Sequence, residues 1–284
     1  PQRGICNLIS RNRPMNESYR HLIVKPEGET CWVTINRPHD RNSLNSELMT
    51  ELTRLLEKLE QGSIRAVVFT GAGDTYFIGG ADGIEMMQCN GEEAGHFSTR
   101  IQGVFLRMEA SPLILVAAIN GLCFGGGYEF ALACDLRVAT EDARIGLPEV
   151  KVGLIPGGGG TQRLPRLVGF GRAMEMILSG RLYKGSEAAR MGLVNLAVQP
   201  GGLEAGIEKL LKPILRQPQY ALSLAKRAVH AAKKESLEQG LKTESDQFSR
   251  CFDHEFFPGL MIKQLKEGTL ETTADVSGFM GRGE

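Results

Sequence analysis

The sequence predicts an α/β protein with a parallel-rich core followed by a helical C-terminal region. Short β-rich segments bounded by glycine alternate with helical patterns up to about residue 200, which argues for strands joined by crossover helices. Beyond that point only helical patterns occur. With 284 residues, the chain is long enough to bury a substantial core.

Along the chain, CWVTIN (31–36) alternates and reads as a strand. The loop RPHDRNSLN ends at an N-cap, Ser43 or Asn45, and the leucines of 46–60 then recur at helical spacing. AVVFTG (66–71) reads as a buried strand. A helix over 94–109, the strand LILVAAING (113–121), a helix from about 127 to 133 and the strands LRVA (136–139) and ARIG (143–146) continue the alternation. GLEAGIEKLLKPILRQ, QYALSLAKRAVHAAKK and SLEQGLKTESDQFSRCF are helical, so the organisation expected is an extension or cloning remnant over 1–18, a core over 19–200 and a helical region over 201–284. Pro1 opens the chain, and Met15 is a candidate natural start. Lys226, Arg227, Lys233 and Lys234 read as a solvated helix face.

Charge is balanced at 33 basic and 33 acidic residues, which argues against a nucleic-acid or membrane partner and for a small molecule. No apolar run reaches the ~18 residues of a membrane span. Six cysteines lie scattered without a CxxC pair, as expected of free thiols in a reducing, cytoplasmic setting. The five histidines lack metal-ligand spacing, and no metal is expected. The run Gly157–Gly160 is not followed by GK[ST], and there is no GxGxxG or GxSxG, so nucleotide binding and serine-hydrolase chemistry are disfavoured.

The stretch GLCFGGGYEFALACD (121–135) places three glycines directly before a helix. A helix N-terminus presents unpaired N–H groups at a positive dipole end, and a missing Cβ lets a substrate reach them. Glu129, three residues beyond Gly126, lies one turn into that helix on the same face. A second carboxylate, Glu149, follows Pro148 in GLPEVKVGLIPGGGG, and two carboxylates near one apolar pocket suit acid and base work. In DTYFIGGADGIEMM (74–87) the amide of Ala81 stands at another loop-to-helix start, so Ala81 and Gly126 together suit an oxyanion hole. Taken singly, GGG-x-E also fits close helix–strand packing with an exposed glutamate, and Glu149 a loop salt bridge.

These three motifs, in order over about 90 residues, resemble those of the crotonase superfamily, whose best known members are enoyl-CoA hydratases. The resemblance runs from about Tyr19 to Leu265. It implies a spiral of ββα units with C-terminal helices serving trimerisation, usually as a dimer of trimers. It implies oxyanion amides at Ala81 and Gly126, catalytic carboxylates at Glu129 and Glu149, and a coenzyme A arm running beside Arg41, Ser43, Gly80, Ala81, Asp82, Gly83 and Ile84. Coenzyme A is then part of the substrate, and no separate cofactor is expected.

Hydration of a 2-enoyl thioester needs a polarised carbonyl, a positioned water and a proton for the α-carbon; paired amides and paired carboxylates supply them. The reading is therefore a hydro-lyase that converts a 2-enoyl-CoA to a 3-hydroxyacyl-CoA. Rival readings within the superfamily are decarboxylation, cyclic dienoyl-CoA hydration and double-bond isomerisation. An RNA-binding or scaffold role is the rival from another class, and neutral charge with both glutamates present argues against it. Gly83 and Ile84 stand where many hydratases carry a large aliphatic residue and then lysine, so the acyl-pocket wall or the coenzyme contacts depart from the common pattern there.

Overall fold

The computed structural model describes residues 19–254 and 256–268. Residues 1–18, read above as an extension, lie outside the described residues, Met15 and Cys6 among them. The described residues open with a hairpin that the sequence reading half missed: β1 (Leu22–Glu27) pairs antiparallel with β2 (Thr30–Ile35). Asn45 caps α1 (Ser46–Glu60), its side chain accepting the amide of Leu48 at 2.9 Å. Leu48, Leu52, Leu55, Leu56 and Leu59 form the stripe of α1 that enters the core.

Three turns of a spiral follow. β3 (Ala66–Gly71) leads to the short β4 (Tyr76–Ile78), α2 (Gly83–Met87) and α3 (Gly91–Ala110). β5 (Ile114–Ile119) leads to β6 (Leu122–Phe124) and α4 (Gly126–Ala133). β7 (Leu136–Thr140) leads to β8 (Arg144–Gly146), α5 (Gly160–Val168) and α6 (Phe170–Ser179), after which β9 (Tyr183–Lys184), α7 (Gly185–Met191) and β10 (Leu196–Val198) complete the strands. Each turn adds its long strand to a sheet ordered β1-β2-β3-β5-β7-β10 and its short strand to a second sheet ordered β4-β6-β8-β9. From β2 to β10 the larger sheet is parallel. The result is the spiral of ββα units that the resemblance implied.

β5 is buried along its whole length, which is why its sequence is a continuous apolar run rather than an alternation. One sheet face packs on α1, α3 and α4, where Phe130 makes edge-to-face contacts with Phe69, Phe77 and Phe105. The other face carries Val68, Val116, Ala118 and Val138 against Ile207 and Leu211 of α8 (Leu203–Leu215). α9 (Gln219–Ala231), α10 (Leu237–Arg250) and α11 (Phe256–Lys266) follow.

The basic residues around α9 do not form one solvated face, contrary to the sequence reading. Lys226 donates to Asp135 and to the carbonyl of Leu113, both at 2.7 Å, and His230 also meets Asp135. Lys233 approaches Glu109 at 3.5 Å, while Arg227 and Lys234 are exposed. Helical periodicity identified the helix but not the buried acids that its cations face.

The close packing of α4 on β4 depends on Gly127. A Cβ there would lie 2.0 Å from the carbonyl oxygen of Ile78, a contact that only a backbone shift relieves. We expect Gly127→Ala to lower stability by about 1–3 kcal/mol, the usual range for overpacking, measured as a shifted urea midpoint at unchanged slope.

Candidate active site

The segment Arg41–Leu44 lies along Gly79–Asp82. Gly79 donates to the carbonyl of Arg41, Leu44 to that of Gly80 and Asp82 to that of Leu44. This short parallel bridge uses the amides of Leu44 and Asp82, and the amide of Ala81, which lies between the residues bonded, donates to no backbone carbonyl among the described residues. The first residue of α4 meets it from the other side: a Cβ on Gly126 would sit 2.9 Å from the nitrogen of Ala81. Gly126 is thus bare because the 79–82 loop lies against it, and its amide at the start of α4 is an orphan of the helix end. The tertiary structure brings together two amides that are 45 residues apart in sequence.

Glu129 is 2% exposed and sits one turn into α4. Its Oε1 accepts the amide of Gly160 at 2.7 Å, and the amides of Gly158 and Gly159 also face the carboxylate. Burial pushes its carboxyl above the usual 4.5, with the Gly160 and Gly158 amides, Arg163 and the Gly159 amide opposing that rise. The run Gly157–Gly160 therefore cradles a carboxylate of the protein itself.

Glu149 follows β8 as the first residue of a single 3-10 turn, Glu149–Val152, closed by Gly153 at φ 76. The sequence reading expects it in a loop; the structure gives one 3-10 turn after Pro148, ended by Gly153, which supplies the left-handed residue. Glu149 Oε1 would lie 3.2 Å from a Cβ on Gly125, which puts its carboxyl beside the start of α4. Its Oε2 is buried without a hydrogen-bond partner among the described residues. Burial, with the charge of Glu129 adding to it, pushes its carboxyl up to about 7.

Of the residues expected beside a coenzyme arm, Gly80 and Ala81 lie in the bridge just described, and the other five divide into two groups. Arg41, Gly83 and Ile84 lie at the surface, Ile84 at 66% exposure. Ser43 and Asp82 are engaged internally: Arg37 donates to Ser43 Oγ at 3.0 Å and to Asp82 Oδ2 at 2.9 Å, and Asp82 also caps α2 through the amides of Ile84 and Glu85. Burial works against the charged form of Asp82, but Arg37 and the two amides outweigh it and hold the carboxyl below its usual range. Arg37, the arginine of INRP, was missed in the sequence because its partners are spread from Asp40 to Asp82. Arg163, which supports the Gly158 segment, was missed for the same reason.

A ββα spiral with two inward carboxylates and two donor amides at one helix start defines a crotonase-type, enoyl-CoA hydratase-like lyase. The chain belongs to the enoyl-CoA hydratase/isomerase family, whose sequence model matches residues 26–263. It is 39% identical over 252 residues to the short-chain-enoyl-CoA hydratase of Clostridium acetobutylicum, covering 88% of this chain and 97% of that protein. It is 36% identical over 236 residues to the crotonyl-CoA hydratase of Syntrophomonas wolfei, covering 83% and 91%. A crystal structure of an enoyl-CoA hydratase from Bacillus anthracis superposes with a TM-score of 0.82 at 35% identity, covering 88% of this chain and 97% of that one.

The raised carboxyl of Glu149 makes a stability prediction. Its folded value of about 7 lies above the ordinary 4.5, so the fold binds the proton more tightly than the unfolded chain does. That contribution is complete below 4.5 and is lost as pH rises through about 7. The Glu149→Gln variant is expected to melt above the unsubstituted protein at about pH 8, with the gap closing toward pH 4.5, read by calorimetry across pH.

Proposed function

We propose that the protein hydrates a 2-enoyl-CoA thioester to the 3-hydroxyacyl-CoA, with Ala81 and Gly126 as oxyanion donors and Glu129 and Glu149 as the acid–base pair. The observation that carries this reading is the meeting of two unpaired amides with a buried carboxylate, Glu129, and a half-buried one, Glu149, at the start of α4. The amides polarise the thioester carbonyl and stabilise the enolate that forms when water adds at the β-carbon. The two carboxyls divide the remaining work by environment. Glu129, solvated by peptide N–H groups, is the better anion and takes a proton from the attacking water. Glu149, desolvated and without a partner at Oε2, holds a proton near neutral pH and delivers it to the α-carbon. Water's oxygen bonds to the β-carbon, its second proton passes to Glu129, and the π electrons return through the enolate to form the new C–H bond.

The coenzyme arm runs past the exposed Arg41 and along the backbone of Gly80–Ile84. Ser43 and Asp82 act there by fixing the loop through Arg37. A short acyl chain is favoured by the likeness to the Clostridium acetobutylicum and Syntrophomonas wolfei proteins. The neutral charge and buried thiols of Cys31, Cys123 and Cys134 fit a reducing cytoplasm, where no nucleic-acid or membrane partner is required. Among the described residues no helix is long and apolar enough to cross a membrane.

The test is the loss of conjugated enoyl-thioester absorbance when the protein meets crotonyl-CoA. We expect Glu129→Gln and Glu149→Gln each to lower kcat on the order of 10²–10³-fold. A folded protein that binds CoA and leaves the absorbance unchanged would overturn the substrate assignment and direct the search to carboxylated or cyclic acyl-CoAs.

A homo-oligomer, a trimer or dimer of trimers, is part of the same proposal. Phe170, Met174 and Leu178 are 80%, 55% and 65% exposed and recur every fourth residue on α6. Val152 and Ile155, beside the Glu149 turn, are 74% and 73% exposed, so this apolar face adjoins the site. Such a stripe is costly to leave in water and suits a subunit contact. Light scattering is expected to give three or six subunits, and Phe170→Glu with Leu178→Glu is expected to give smaller species.

A further inference from the structure

We propose that Arg163, anchored by Glu109, is a positioning residue for Glu129: it fixes the Gly158–Gly160 peptide segment whose amides hold the Glu129 carboxylate. This rests on the acid–base reading of Glu129 above. Arg163 uses its guanidinium in three directions. Its Nε and Nη2 donate to the two carboxylate oxygens of Glu109 at 3.0 and 3.4 Å, a fork that only arginine can make. Its Nη1 donates to the carbonyl of Gly158 at 2.9 Å. That carbonyl belongs to the peptide unit whose N–H is on Gly159, so holding the oxygen on the Arg163 side turns the amide away from it.

Glu129 occupies the opposite side of the same segment. A Cβ on Gly158 would lie 2.7 Å from Glu129 Oε2, and one on Gly160 would lie 3.0 Å from Glu129 Oε1. Gly159 stands at φ 103, and a Cβ there would lie 2.2 Å from Arg163 Nη1. The segment is therefore squeezed between a guanidinium and a carboxylate, with room for backbone alone. Successive N–H groups turned to one side in this way form a concave anion site. Here the anion is the side chain that the proposed mechanism uses as base.

The anchor is built to keep Arg163 still. Glu109 lies at the end of α3 at 6% exposure, and the Arg163 side chain is itself only 12% exposed. The guanidinium stands 5.9 Å from the ring centre of Phe105, which makes an edge-to-face contact with Phe130, next to Glu129 in α4. Burial opposes the charge of Glu109, yet Arg163, Lys233 and His230 outweigh it and hold the carboxyl below its usual range. The titratable and charged groups facing this assembly are thus Arg163 from α5, Lys233 and His230 from α9 and the turn after it, and Glu149, which interacts with Glu129.

A salt bridge that served stability alone would act on folding and not on the titration of Glu129, and this difference defines the test. Arg163→Met leaves Glu109 charged and buried, so the double variant Arg163→Met/Glu109→Gln is made beside it to remove that burden. For crotonyl-CoA hydration we expect Arg163→Met to lower kcat by about 10²-fold with KM little changed, because a small displacement of a catalytic group has that effect. The acidic limb of the pH–kcat profile is expected to move to higher pH, since Glu129 loses ordered N–H donors and a nearby positive charge. In the double variant the melting temperature recovers while the lower kcat and displaced limb remain. Recovery of kcat and of the limb together with stability would overturn the proposal. Carbon-13 NMR titration of the Glu129 carboxyl, assigned with Glu129→Gln, separates this from the substrate reading. A protein inactive on crotonyl-CoA but showing an upward titration shift in Arg163→Met sinks that reading and keeps the positioning role. An unmoved titration sinks the positioning role.

Discussion

Gly127 carries no side chain because the carbonyl of Ile78 occupies the place where one would go, and Gly126 is bare because the nitrogen of Ala81 would lie 2.9 Å from a Cβ on its own side. This backbone-on-backbone contact between α4 and the 78–82 loop is the constraint on which the rest of the molecule depends. It joins the short sheet to the buried helix, and it sets two free amides beside one another at the dry end of that helix. Any larger residue would separate the amides and disturb the packing of Phe130 among Phe69, Phe77 and Phe105.

From that contact the placement of the carboxylates follows. Glu129 cannot avoid burial, since it lies one turn into a helix that is buried along its whole length. A lone buried carboxylate is costly, and the chain answers with peptide N–H groups from 158–160 rather than with a direct salt bridge to its oxygens. The nearest cation, Arg163, acts through the peptide segment and through Glu109, so Glu129 stays polar, oriented and without an ion partner of its own. Glu149 receives no comparable support at Oε2, so the two chemically identical carboxyls sit in different environments, although burial raises both.

The support of the site is distributed over the whole spiral. Arg37 from the first loop holds Asp82 and Ser43, which shapes the loop that presents Ala81. Glu109 from α3 holds Arg163 of α5, and Lys233 reaches the same glutamate from beyond α9. The C-terminal helical region thereby touches the electrostatics of the site as well as covering the sheet. The apolar stripe of α6 lies beside the turn that carries Glu149, so subunit contacts made there would abut the chemistry.

Local signals were enough for much of this. The leucines of 46–60, the glycine-bounded apolar run at 114–119 and the glycines before Glu129 each follow from short-range rules of periodicity, burial and backbone freedom, and each occurs where those rules place it. The three motifs together were specific enough to indicate the family. The strands β4, β6 and β9 were not legible, because two or three residues hold too little alternation to stand out. Nor could the sequence reveal that Arg37 and Arg163 serve the site, that Lys226 is buried on Asp135, or that Gly157–Gly160 wraps an internal carboxylate instead of a ligand's phosphate. Those assignments depend on contacts between residues far apart in the chain, and a charged side chain's role is set by what the folded core leaves beside it, which no local pattern encodes.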